Sequence, residues 1–329
     1  MPVSAGTRTM KSTDQLYLIF ALFLCLPEFA KGSLGDSFPF YKSCVYECKQ
    51  ATCEEDGYYR KVRSSSYFKE LFEWQCVADC RYTCMWDLVE AFKRKGWNVP
   101  QFHGKWPFVR WLGLQEPVSM IASVVHLTVT VIMFRYFYKR VRSKSPMYWI
   151  WVTYALVLMN CWTWSALFHA RDLRFSEIMD YISAFAAILY GFFSIGYRML
   201  LNCPSAMRVL FSVCCLLFFF NHTLYLTLDD TFDYAYNMKA NIVLSIMTSI
   251  IVFSWTLREW KTLHHVRFAL YYMINFIIAA IPEVLDFPPI WWAVDAHALW
   301  HILSIPVTYF LFRYGVEDCK YLHKSKLSL

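Results

Sequence analysis

Residues 117–134 read PVSMIASVVHLTVTVIMF, and residues 135–144 read RYFYKRVRSK. The first stretch carries one histidine and no charge. The second carries Arg135, Lys139, Arg140, Arg142 and Lys144. An uncharged apolar run of about 20 residues is the length a helix needs to cross a bilayer, and a basic cluster at its end marks the cytoplasmic side. Six similar runs follow: Pro146–His169, Ile178–Tyr197, Val209–Thr227, Ala240–Leu257, Phe268–Pro282, and a last one that begins after Pro288-Pro289 and reaches Phe312. The sixth run of the seven is the shortest. Prolines at or near the starts are tolerated, because the missing N–H would be unpaired there anyway. The fold class expected is all-α, a polytopic bundle of seven transmembrane helices with a small disulfide-stapled N-terminal domain.

Composition agrees. The chain has 329 residues, 57% of them hydrophobic and 17% charged, against roughly 45–50% and about 25% in soluble domains. Collagen, coiled coil and disorder are excluded by the absence of a Gly period, a heptad run or high charge. The formal net charge is +7. Its Lys and Arg lie between apolar runs, so they read as a topology bias rather than as a nucleic-acid surface. The first, third and fifth loops and the tail are basic, whereas the intervening loops carry Asp229, Asp230, Asp233, Glu283 and Asp286. This places the C-terminus in the cytoplasm and the N-terminal segment in a lumen.

Arg8 and Lys11, the apolar run Leu16–Leu26, and the small residues Ala30, Gly32 and Ser33 form the three parts of an export signal. Six cysteines come next: Cys44, Cys48, Cys53, Cys76, Cys80 and Cys84. An even count behind such a signal reads as a disulfide framework. Cys76, Cys80 and Cys84 share one helical face, as do Cys44 and Cys48, so two short helices stapled together is the simplest arrangement. Spacing alone does not choose among the 15 pairings. The expected division is signal 1–31, cysteine-rich domain 32–114, membrane domain 115–313 and tail 314–329.

Ionisable groups at membrane depth are functional candidates. His169 ends the second run, Asp180 lies near the start of the third, and His297 and His301 lie in the seventh. Ser165 is one turn below His169. The pair His297/His301 lies on one helix face and suits one zinc ion. Alone it is weak evidence, since nine histidines in 329 residues give such a spacing by chance in about one chain in four. Topology strengthens it. All four groups fall toward the lumen, with His297 expected about seven residues, or roughly 10 Å, into its span. Three histidines with an open fourth position form a catalytic zinc arrangement. An Asp beside such an ion orients or deprotonates its water, and a Ser hydroxyl hydrogen-bonds a developing oxyanion. His126 reads as a packing histidine, His103 as a loop residue, and Trp291-Trp292 as interfacial anchors. The sequon Asn221-His-Thr223 lies in or at the end of the fourth run, too close to the membrane to expect glycosylation.

The strings S-A-L-F-H (Ser165–His169), Asp180 eleven residues on, and D-A-H-A-L-W-H (Asp295–His301) resemble the metal-site motifs of the CREST superfamily of membrane hydrolases, which includes alkaline ceramidases and adiponectin-type receptors. Pro100-Gln-Phe-His-Gly-Lys-Trp-Pro-Phe108, Cys84-Met-Trp86 and Asp286-Phe-Pro-Pro289 are similar to the branch that acts on glycosylphosphatidylinositol (GPI) anchors. The resemblance implies Zn2+ on His169, His297 and His301, with Ser165 and Asp180 as catalytic residues. It also implies a Golgi phospholipase that removes the unsaturated sn-2 chain from the lipid of GPI-anchored proteins. The competing expectations are an amidase acting on ceramide and a non-catalytic receptor or trafficking factor for GPI-anchored proteins.

Overall fold

The computed structural model describes residues 33–60, 74–228 and 232–327. The export signal expected over residues 1–31 lies outside them. Among the described residues there are helices, turns and isolated bridges but no strand.

Among the described residues, the N-terminal part is built on three helices, α1 (Leu34–Ser37), α2 (Pro39–Thr52) and α3 (Cys76–Arg94). Disulfides join Cys44 to Cys84, Cys48 to Cys80 and Cys53 to Cys76. As one partner advances along α2, the other retreats along α3, so the two helices are antiparallel. Cys44 and Cys48 on α2 and Cys76, Cys80 and Cys84 on α3 are one turn apart, and Cys53 caps the end of α2, so the three bridges follow one seam. Below the seam, Tyr41, Leu88, Val89, Phe92 and Phe102 form a small core. Such a core is too small to hold a domain alone, which is why the bridges are needed.

Seven long helices follow: α4 (Pro117–Arg140), α5 (Tyr148–Ala170), α6 (Arg174–Met199), α7 (Ser205–Leu228), α8 (Tyr234–Glu259), α9 (Val266–Leu285) and α10 (Ala296–Leu327). The first six are long and apolar enough to cross a membrane, so the chain is a multi-pass membrane protein. In α10 the apolar run is interrupted by His297, His301, Ser304, Pro306 and Thr308. As expected, α9 is the shortest of the seven. Neighbour packing runs α4–α5–α6–α8–α9–α10 and returns to α4, closing a ring of six helices. The helix α7 packs mainly on α6, touches α8 through the His222–Asn237 contact at 3.1 Å, and has only 11% of its 18-residue apolar window buried. Its Asn221 therefore sits on a membrane-length helix.

The start of α10 differs from the sequence expectation. Residues 286–295 are not helical. Trp291 and Trp292 both have positive φ in a turn closed by the Ile290–Val294 bridge. The helix begins only after Asp295, whose carboxylate accepts from the Ala298 N–H at 2.7 Å. That is an N-cap, which satisfies one of the donors left unpaired at a helix start. His297 is thus in the first turn rather than two turns into a span. The tryptophans also divide. Trp291 is exposed, whereas the Trp292 ring meets Trp86 at 5.1 Å and so docks the cysteine-rich part onto the bundle.

Close helix contact depends on Gly315 of α10. A Cβ there would lie 2.7–2.9 Å from the Trp151 ring, itself buried against α10. Gly315→Ala is expected to destabilise the bundle by about 1–3 kcal/mol, read as a lower melting temperature in detergent. An unchanged melting temperature would show that the contact relaxes at no cost.

Candidate metal centre

Four helices bring the predicted histidines to one end of the ring. His169 is in the last turn of α5, and His297 and His301 occupy the first two turns of α10. One ligand nitrogen from each lies within 4.8 Å of the others. The second side of each ring shows how they are held. His169 Nδ1 is 2.6 Å from Glu116 Oε2. His297 Nδ1 is 3.1 Å from both oxygens of Glu283, near the end of α9. His301 Nδ1 is 3.4 Å from Ser123 Oγ of α4.

The tautomers follow from what these partners can do. A carboxylate only accepts, so His169 and His297 donate from Nδ1. Ser123 Oγ donates to the Ser119 carbonyl at 2.8 Å, so its lone pair is left for the Nδ1–H of His301. All three Nε2 atoms then present lone pairs to one point. His169 Nε2 is buried with no hydrogen-bond partner. His297 Nε2 and His301 Nε2 face each other at 3.1 Å. Three converging lone pairs are unfavourable unless a cation sits between them. Zinc bonds of about 2.0–2.1 Å at tetrahedral angles separate ligand nitrogens by about 3.3 Å, close to the 3.1 Å between the Nε2 atoms of His297 and His301, and the His169 nitrogen lies within 4.8 Å of both. An outer acceptor on each histidine is the usual support of such a site.

Ser165 and Asp180 both line the same cavity as His297 and His301. Ser165 Oγ lies 3.1 Å from Ser123 Oγ, while Asp180 is close enough to His169 and His297 to interact electrostatically. His126 is outside the convergent set. Its Nε2 donates to the His301 carbonyl at 2.8 Å, and its ring stacks on Trp162, as a packing histidine does. His103, a loop residue as expected, hydrogen-bonds Tyr41. The other compact sulfur group, Cys53, Cys76 and Cys80, is engaged in disulfides and offers no thiolate.

The cavity has a volume of about 170 Å³ and runs between α5, α6, α8, α9 and α10. Its wall continues from His297 down α10 to Leu311, a rise of roughly 20 Å at 1.5 Å per residue. Below the histidines the wall is mainly apolar, with Leu158, Ile188, Phe276 and Val307. A narrow apolar slot under a polar head fits a hydrocarbon chain carrying a reactive group at its top.

Sequence reasoning missed Glu116, Glu283 and Ser123. Glu116 directly precedes Pro117, and Glu283 directly follows Pro282. An acidic residue at the very end of an apolar run was an available signal for the two carboxylates; Ser123 had none beyond being a hydroxyl in a span. Glu116 is also gripped from its other side, with Lys105 Nζ 2.7 Å from Oε1 and 2.9 Å from Asp172. Burial alone would raise the Glu116 carboxyl, but Lys105 and His169 outweigh it and hold the group well below the usual carboxylate range. The same two carboxylates overcome burial at Lys105 and raise its ammonium above its ordinary value.

Glu116→Gln keeps the shape but halves the acceptor character at His169. It is expected to weaken zinc binding by about 10–100-fold, measured by metal analysis of purified protein equilibrated against a graded chelator. Equal zinc retention in the variant and the wild type would remove Glu116 from the support of the site.

The Per1-like family pattern matches residues 66–319. A Cricetulus griseus protein named GPI-specific phospholipase A2-like PGAP3 is 39% identical over 297 residues, spanning 90% of this chain and 92% of that protein. The Homo sapiens protein of the same name is 37% identical over 297 residues with the same coverage. The Drosophila melanogaster protein named post-GPI attachment to proteins factor 3 is 36% identical over 301 residues, again 90% and 92%. The chain therefore belongs to the Per1-like family.

Proposed function

We propose that this chain is a zinc-dependent acyl-ester hydrolase that removes the sn-2 unsaturated fatty acid from the lipid of GPI-anchored proteins. The observation that carries the reading is the set of three Nε2 lone pairs at the head of a narrow apolar cavity. The names of the relatives point to the same lipid. His169, His297 and His301 would hold the ion. Zinc bound there supplies Lewis-acid chemistry, polarising the ester carbonyl and acidifying a water. Glu116, Glu283 and Ser123 keep the ligand rings in the tautomer that leaves Nε2 free.

Asp180, which lines the cavity, takes the proton of the attacking water and passes it to the glycerol oxygen as the acyl C–O bond breaks. Ser165, also lining the cavity, donates a hydrogen bond to the oxygen that gains charge. The acyl chain lies along the slot between α5 and α10, which shields the ester from bulk water. In this reading residues 1–31 are an export signal. Residues 32–114 form a luminal domain, residues 115–313 the membrane hydrolase and residues 314–329 a cytoplasmic tail, in the Golgi membrane.

The test is mass spectrometry of GPI lipid from cells lacking the protein, rescued with wild type or with His297→Ala at matched expression and matched melting temperature. Wild type is expected to restore saturated sn-2 chains, and the variant to leave them unsaturated. Full rescue by the folded variant would overturn the hydrolase reading. Accumulation of ceramide in place of unsaturated GPI would instead point to amidase chemistry at the same centre.

A further inference from the structure

Two tyrosines close the floor of the cavity under the histidines. Tyr154 of α5 and Tyr272 of α9 both line it, both are buried, and their hydroxyls share a hydrogen bond. Gly191 of α6 completes the floor. A Cβ there would lie 2.8 Å from the Tyr154 hydroxyl and 3.8 Å from that of Tyr272, so the missing side chain makes room for the pair. Behind them Trp151 packs on Tyr154 at 5.9 Å and on Tyr314 at 5.7 Å. The slot therefore ends on packed aromatic rings.

The helices agree on its depth. Ser165 to Tyr154 on α5, Asp180 to Gly191 on α6 and Glu283 to Tyr272 on α9 are each eleven residues, and His301 to Leu311 on α10 is ten. At 1.5 Å per residue that is roughly 15–16 Å. An extended hydrocarbon advances about 1.25 Å per bond, from bonds of about 1.52 Å at tetrahedral angles. About 13 bonds span the slot, whereas a straight eighteen-carbon chain needs roughly 21 Å. Such a chain meets the tyrosines before its ester reaches the histidines.

At mid-depth one side of the lining is small. Ala184 and Ala187 of α6 lie roughly 6 and 10 Å below Asp180. Phe185 and Leu189 of α6 cluster with Ala240 and Leu244 of α8, which sets Ser245 of α8, also in the lining, at this level. Leu158 and Phe276, each seven residues below the head on α5 and α9, are the bulkier walls at the same depth. A cis double bond turns a chain off its axis. One nine carbons from the carboxyl carbon falls about 10 Å down, at the level of Ala187, where small side chains leave room for the turn.

We propose that the slot is an acyl-chain gauge. The Tyr154–Tyr272 pair is its floor, and the recess at Ala187 selects a long chain bent by a cis double bond over a straight chain of equal length. The reaction that the gauge serves rests on the function proposed above, whereas the preference for a bent chain rests on the cavity alone.

The test is displacement of a fluorescent fatty acid from the full chain in lipid nanodiscs by oleic, elaidic and stearic acids, which share one length and differ in the bend. Oleic acid is expected to bind about tenfold more tightly than the other two. Ala187→Leu fills the recess and should abolish the difference by weakening oleic acid. Tyr272→Ala lowers the floor and should narrow it by strengthening stearic acid. The variants act on different helices and in opposite directions, so misfolding of one leaves the other, and the wild-type ratio needs neither. Equal affinity of the wild type for all three acids, or an unchanged ratio in either folded variant, would overturn the proposal. The rescue experiment above separates the two readings. Oleic-acid preference without hydrolysis of the GPI lipid keeps the gauge and removes the enzyme, and hydrolysis without the preference does the reverse.

Discussion

The carboxylate of Glu116 is the constraint on which the functional end of this molecule depends. It is almost wholly buried at the start of α4, where an unpaired charge costs several kcal/mol. Two donors offset that cost, the Nδ1–H of His169 and the ammonium of Lys105. The backbone adds a third link, because the Glu116 N–H donates to the His169 carbonyl at 3.0 Å. One residue thus fixes α4 to α5, the cysteine-rich part to the bundle, and the tautomer of a metal-type ligand. Removing it leaves a buried imidazole and a largely buried ammonium short of an acceptor at once.

The rest of the architecture serves the same end. Disulfides hold α2 against α3, Phe102 packs on Tyr41 in the core beside them, and Lys105 reaches Glu116 at the head of the bundle. The loop after α9 answers from the other side. The carboxylate of Asp286 accepts from the Trp106 indole at 2.7 Å and from the Gln101 amide at 3.1 Å. Between these clamps the ring of six helices closes around a slot that is polar at the head and apolar below. Dispersion and small-residue contacts, such as Gly315 against Trp151, hold the ring together where lipid gives no hydrophobic drive between helices.

At the opposite end a second buried acid plays a purely structural part. Asp318 of α10 is fully buried between Arg198 of α6, at 2.7 Å, and His265 at the start of α9, at 3.0 Å. The bundle is therefore fastened by one buried carboxylate at each end. The one near the histidines, Glu116, lines a polar cavity.

Much of this was legible from the residues alone. Apolar runs of bilayer length set the helices, and loop charge set their expected direction, because burying charge in lipid is costly whatever the tertiary detail. Cysteine spacing at one helical turn set the stapled pair of helices, and the His297/His301 spacing set a shared face. What required the tertiary structure was everything that depends on which residues meet across the chain. The disulfide pairing is one case, since six cysteines are equivalent until two helices choose a direction. The depth of His297 is another. It was decided by the Asp295 cap and the two left-handed tryptophans, a local competition that hydropathy does not register. The roles of Glu116, Glu283 and Ser123 are the last. Each is an ordinary polar residue in sequence, and only the convergence of α4, α5, α9 and α10 brings it to the Nδ1 of a histidine. Local periodicity specifies faces and lengths, but hydrogen-bond partners separated by 53 or 178 residues are specified only by packing.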